Sequence, residues 1–266
     1  MDESGVQVST GKGIQLCVWF IFSAFIFVQD IEASTLEEAE ASYAEGFYLE
    51  AAQIAEEAGG ASGFAFAATS LNIYALYYAE KEESVKLYQR AMDLAGRAVE
   101  IDPKSLRGNN ELARAMGRYS QRIGRVRAMN EKFAERIRKH IEVTLSIDDQ
   151  FAEGHLALGR WHAGLIEVLG SFLARSFFGA SKNDAVYHLE RALELDSEGI
   201  DSHYGVAIGF LALGKRKYRK KAKGLLLQVA KLPVRHVYQV VIQEKAIKRI
   251  EKLNVPQVTN HEHQNK

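Results

Sequence analysis

One cysteine and three prolines are all that this 266-residue sequence holds of either type. Cys17 has no second thiol to join, so no disulfide framework supports the fold. Pro103, Pro233 and Pro256 stand far apart, and because a proline inside a helix costs about 3 kcal/mol, the long stretches between them are free to be helical. Catalytic signatures are missing too. No G-x-S-x-G nucleophile elbow and no H-E-x-x-H zinc motif occur. The run from Gly5 to Gly11-Lys12 has five intervening residues and continues with Gly13 where a phosphate loop needs Ser or Thr. Formal net charge is zero, so there is no overall positive field to attract nucleic acid. No enzyme activity, cofactor, metal ion or nucleic-acid partner is expected.

What the sequence does contain is a recurring phrase. Ile101-Asp102-Pro103, Ile147-Asp148-Asp149, Leu195-Asp196-Ser197 and a degenerate Leu232-Pro233 follow one another at 46, 48 and 37 residues, the period of helix-turn-helix units. Helix ends such as Ala98-Val99-Glu100 and Ala192-Leu193-Glu194 precede it. Between Leu36 and Ala58, the residues Tyr43, Gly46, Tyr48, Ala51 and Ala58 fall at tetratricopeptide spacing, small residues letting paired helices approach and tyrosines filling the gaps between pairs. Gly59-Gly60 and Gly63 then break the chain before Ala65–Tyr78 and Glu82–Glu100. Further helices are expected at 105–123, 128–146, 151–172, 184–195, 201–213 and 219–231. Residues 237–253 form a terminal helix with Val240, Val241, Ala246 and Ile250 toward the core. The expected fold is all-α, a right-handed tetratricopeptide-like superhelix of antiparallel helix pairs with a C-terminal capping helix, occupying residues 34–253.

Residues 1–33 read differently. Leu16 to Val28 is an unbroken apolar run preceded by Lys12 and followed by Ile31-Glu32-Ala33, a small-residue cleavage site before Ser34. Thirteen helical residues reach about 20 Å, short of the roughly 30 Å hydrocarbon core. The segment is a secretory signal, placing the mature chain in the periplasm or outside the cell, with an inner-membrane anchor as the alternative if it is not cleaved. Residues 254–266 read as a disordered polar tail, and its His261-Glu262-His263 as solvated.

Charge is unevenly spread. Ser34 to Asp102 carries thirteen acids and four bases, Lys104 to His140 eleven bases and three acids, and Lys215 to Lys252 thirteen bases and two acids. Arg107, Arg114, Arg118, Arg122 and Arg125 follow at helical intervals beside an apolar stripe of Leu112, Ala115, Met116, Tyr119, Ile123 and Val126. Aligning the closing phrases sets Arg114 one repeat before Arg160, at the position facing the concave groove. A partner-binding groove of Arg107, Arg114, Arg118, Arg122, Arg160, Trp161 and His162 is the candidate site, suited to carboxylates or phosphates. The competing account is neutralisation by the acidic first third of the same chain. Trp161 also suits packing between pairs. His155 and His162, seven apart, stand about 10 Å from each other, too far to share a metal. In the insertion from Ile166 to Asn183, Leu169, Phe172, Phe177 and Phe178 could fold over the groove and line an apolar pocket.

The segment His155-Leu156-Ala157-Leu158-Gly159-Arg160-Trp161-His162, then Ala174-Arg175-Ser176-Phe177-Phe178-Gly179-Ala180 and Ala192-Leu193-Glu194-Leu195-Asp196, resembles the tetratricopeptide-like domain of the regulator of microtubule dynamics family and its exported bacterial relatives. In that family a GRW phrase ends one helix, an insertion with FGA follows, and a later repeat closes in LGK, here Leu213-Gly214-Lys215. The likeness is close from Asp148 to Pro233; Asp149 and Ser197 replace proline at two closing phrases. It implies the fold and not a microtubule role, since an exported bacterial protein never meets tubulin. The expected function is a scaffold for protein–protein interaction in the bacterial cell envelope, its partner a protein or peptide, acidic in character. The alternative is a periplasmic carrier of an apolar or anionic small ligand, similar to the helical-repeat component of tripartite solute transporters.

Overall fold

Alanine dominates the buried positions of this chain, and that composition dictates how its helices meet. Ala39, Ala51, Ala55, Ala67, Ala91, Ala95, Ala98 and Ala115 are fully buried, as are Ala185, Ala192, Ala207 and Ala222 further on. Small side chains at the contacts bring helix axes close, and the larger Tyr48, Tyr88, Leu189, Phe210 and Leu226 fill the spaces that remain.

The structure, a computed structural model, describes residues 35–254, which are all helix and turn. The order is α1 (residues 35–45), α2 (Tyr48–Ala58), α3 (Gly60–Tyr77), α4 (Lys81–Ile101), α5 (Leu106–Ile123), α6 (Arg125–Asn130), α7 (Phe133–Ile147), α8 (Ala152–Phe178), α9 (Lys182–Leu195), α10 (Ile200–Ala212), α11 (Arg216–Val229) and α12 (Tyr238–Asn254). The proposed signal and the tail beyond Asn254 lie outside the described residues.

From α2 onward each helix packs against the next, and a second set of contacts links helices further apart in sequence: α3 with α5, α5 with α8, α8 with α10, and α10 with α12. These five form the inner layer, and α2, α4, α7, α9 and α11 the outer one. The circuit then closes, because α12 returns to α3. The Tyr238 backbone N–H donates to the Tyr48 hydroxyl at 3.1 Å, and Lys245 Nζ to the Leu76 carbonyl at 3.4 Å. The terminal helix therefore seals the last repeat against the first.

Several expected boundaries shift. Helix α3 begins at Gly60, not Ala65, because two consecutive glycines, Gly59 at φ 73° and Gly60 at φ 61°, suffice to turn the chain. Gly63 lies inside α3, where a Cβ would stand 2.4 Å from the Ala55 carbonyl oxygen. The arginine stripe is cut by Gly124 at φ 87°, so Arg125 belongs to the short α6 and Val126 is 75% exposed instead of packing inward. In α12 the buried residues are Tyr238, Gln239, Ile242 and Ala246, while Val240 faces out, a register set by closure onto the first repeat.

Candidate functional site

Five inner helices turn one face each toward a common interior, and their polar side chains converge there. At one end the charges are balanced. Glu111 of α5 is 2% exposed; Asn72 Nδ2 of α3 donates to its carboxylate at 2.8 Å and Asn110 Nδ2 at 3.3 Å. Burial pushes the Glu111 carboxyl above its usual range, and Arg114 opposes that. Arg114 lies 3.6 Å from Glu111 and bonds Glu153 of α8. Burial alone would lower the Arg114 guanidinium, but Glu111 and Glu153 outweigh it and hold it above the ordinary range. Asp201 of α10, raised by burial, accepts from Gln239 Nε2 at 2.7 Å and from the Tyr238 hydroxyl at 3.1 Å, tying α10 to α12.

The other end is cationic. Arg118 of α5 and Arg160 of α8 are half-buried and, among the described residues, make no ion pair or hydrogen bond with the protein. Burial pulls both below the ordinary guanidinium range; for Arg160, with Arg118 adding its repulsion, the value falls to about 9. An arginine guanidinium keeps its proton at neutral pH, so both side chains are cations. Tyr77 and Tyr204 stand beside them, and Lys245 lies 4.5 Å over the Tyr77 ring, itself lowered by burial and then by Arg118 and Arg122. Two desolvated guanidiniums, unpaired within the described residues, concentrate positive charge where an anion would be stabilised.

Of the sequence candidates, the structure brings Arg114, Arg118 and Arg160 together on this inner face. Arg107 is exposed and lies 5.3 Å from the Phe66 ring centroid, and Arg122 is exposed near Lys245. Trp161 and His162 do not line it. Trp161 is 8% exposed, and its indole N–H donates to the Ala134 carbonyl at 2.8 Å, which seats it between α7 and α8. His162 accepts from the Ser181 backbone N–H at 3.2 Å and stacks on His188. Nor does the insertion cover the groove: Gly170 at φ 78° kinks α8, Phe172 is 80% and Phe177 73% exposed, and only Leu169 and Phe178 pack on the core. Among the described residues no ion pair joins the acidic first third to the stripe: Glu56 pairs with Arg90 and Arg97 of α4, and Arg114 with Glu111 and Glu153. Tyr77, Asp201, Tyr204 and Lys245 escaped the sequence reading. No group of His, Cys, Asp and Glu among the described residues could hold a metal ion.

Helix pairs with an inner and an outer layer define a tetratricopeptide-like repeat protein, a fold that serves in general as a scaffold for protein–protein interaction. A solved structure agrees: a thermophilic TPR protein of Thermus thermophilus superimposes with a TM-score of 0.57 at 18% identity, over 82% of this chain and 99% of its own. The model of the family "Regulator of microtubule dynamics protein 1-3" matches residues 35–254, and the chain belongs to that family. No curated protein matches it.

Proposed function

We propose that the inner face captures a negatively charged segment of a partner protein, with Arg118 and Arg160 as the anchoring cations. The observation that supports this is the pairing pattern: Arg114, one turn from Arg118, is engaged by Glu111 and Glu153, whereas Arg118 and Arg160 have no ion partner among the described residues. A second reading, a small anionic ligand held as cargo, draws support from α12, which joins the first repeat and closes the circuit of inner helices. Action as a scaffold in the bacterial cell envelope is part of the proposal and rests on the Leu16 to Val28 run.

The test uses native protein purified with what it holds. Its N-terminus is expected near Ser34 and its native mass to include an acidic protein; a bound small anion would move the conclusion to cargo, and intact residues 1–20 would replace the soluble form with an anchored one. In the double variant Arg118→Gln/Arg160→Gln, affinity for an oligoglutamate probe should fall at least about a hundredfold, since each charge-assisted bond contributes about 1.5–3 kcal/mol. The thermal midpoint should hold or rise, because mutual repulsion and desolvation of two unpaired cations are removed. Retained binding with a lowered midpoint would sink the proposal.

A further inference from the structure

Helix α8 runs antiparallel to α7: Leu145 faces Gly154 and Ala134 receives the Trp161 indole N–H. Beyond Trp161, α8 therefore overshoots the start of α7 at Phe133, by about 10 Å at residue 168. At Gly170 it kinks and comes back, anchored by buried Ala174 and by Arg138 Nη1 of α7, which donates to the Phe178 carbonyl at 3.0 Å. The projecting turn carries Phe172 and Phe177, 80% and 73% exposed, with Leu173 at 43%. On the same end, α6 precedes α7 and buries no residue; it shows Val126 at 75% and Met129 at 64% exposure. The collar around these side chains is basic. Arg125, Lys132, Arg136 and Arg175 make no ion pair among the described residues, against Glu135 and Glu167, and Glu131 is held by Arg127 at 2.8 Å.

We propose that this end of the molecule docks on an anionic lipid surface, with Phe172, Leu173 and Phe177 inserted into the interface and the basic collar on the headgroups. The apolar side chains stand out from two separate elements, α6 and the kinked turn of α8. A fluid bilayer conforms to isolated protrusions, and hydrocarbon and anionic headgroups together match what this end displays. Docking differs from spanning: no single described helix is long and apolar enough to cross a membrane, and α8 with α9 passes only as a pair bent by 100°.

The experiment is flotation of the full chain with vesicles of phosphatidylcholine plus phosphatidylserine, and with phosphatidylcholine alone. The wild type is expected to float with the mixed vesicles and much less with the neutral ones. Phe172→Ser/Phe177→Ser should cut binding to mixed vesicles by at least about tenfold at an unchanged thermal midpoint, because these rings are already in water. Arg125→Glu/Arg175→Glu should cut it by a similar factor, at about fivefold or more per charge, while leaving the weak binding to neutral vesicles as it was. Any of three results overturns the proposal: equal flotation on both vesicle types, variants that float like the wild type and so assign the binding to the Leu16 to Val28 run, or a lowered midpoint in the phenylalanine variant, which would show the patch to be covered by the chain itself.

Discussion

His188 lies between two other imidazoles, and its neighbours determine what acid does to this protein. His155 Nε2 donates to the Asp149 carbonyl at 3.0 Å, which leaves His155 Nδ1 to accept from His188 Nδ1 at 2.9 Å; His162 is stacked on the other side. Burial, then the charges that His155 and His162 would carry, push His188 down to about 4 from 6.5, with Asp184 opposing, and burial lowers His162 as well. The unfolded imidazole takes up a proton first as pH falls, so the stability from neutral His188 is complete above 6.5 and drains away toward 4. The thermal midpoint should fall steadily between about pH 6.5 and pH 4 in the wild type, and less steeply in His188→Leu; parallel slopes would show that the cluster does not govern acid stability. From the sequence, His155 and His162 stood out for their spacing on one helix, but His188 lies on another, and nothing local signals that it joins them.

Helix packing turns on a residue from the outer layer. Leu189 of α9 is fully buried, and a Cβ added at Gly159 of α8 would meet its Cγ at 2.8 Å and its backbone N at 2.9 Å, while one at Gly209 of α10 would meet its Cδ2 at 2.7 Å. One leucine thus occupies the clearance that two glycines provide. Gly159→Leu should cost about 1–3 kcal/mol by forcing α8 and α9 apart, and Leu189→Ala about 2–5 kcal/mol by leaving a cavity. Chemical denaturation measures both, and unchanged midpoints would place these residues outside the core. The third repeat was legible because Ala192, Gly159 and the closing phrases repeat with the helix-pair period. The kink at Gly170 was not: residues 166 to 178 read as a continuation of helix and as cover for the groove, since an apolar run carries no sign of which way it bends. Glu153 and Asp201 could have been found, as each stands six residues after a closing Ile147 or Leu195 and so shares one register position facing inward.

At the scale of the molecule, closure of the array is the property that sequence periodicity could not supply. The terminal helix was readable as a cap, but a cap that merely covers an end needs only local contacts, whereas Tyr238 meets Tyr48 across 190 positions of chain. Around that contact, Tyr77 stacks on Tyr238 with centroids 5.4 Å apart, Tyr43 packs edge-on at 6.4 Å, and Asp201 takes two hydrogen bonds from α12. Tyr238→Ala should therefore destabilise by about 3–5 kcal/mol, as other large buried aromatics do. It should also split one unfolding transition into broader steps, because units that touch only their neighbours unfold independently. A single sharp transition in the variant would mean that the first and last repeats are coupled by another route. Closure has a further consequence for how such a chain can change over generations. An open solenoid gains or loses a unit without disturbing distant ones, so duplication is tolerated. Here an added pair of helices would carry Tyr238 away from Tyr48 or, if placed between α10 and α12, strand Asp201 without its donors, so the number of units is locked by the circumference they must complete.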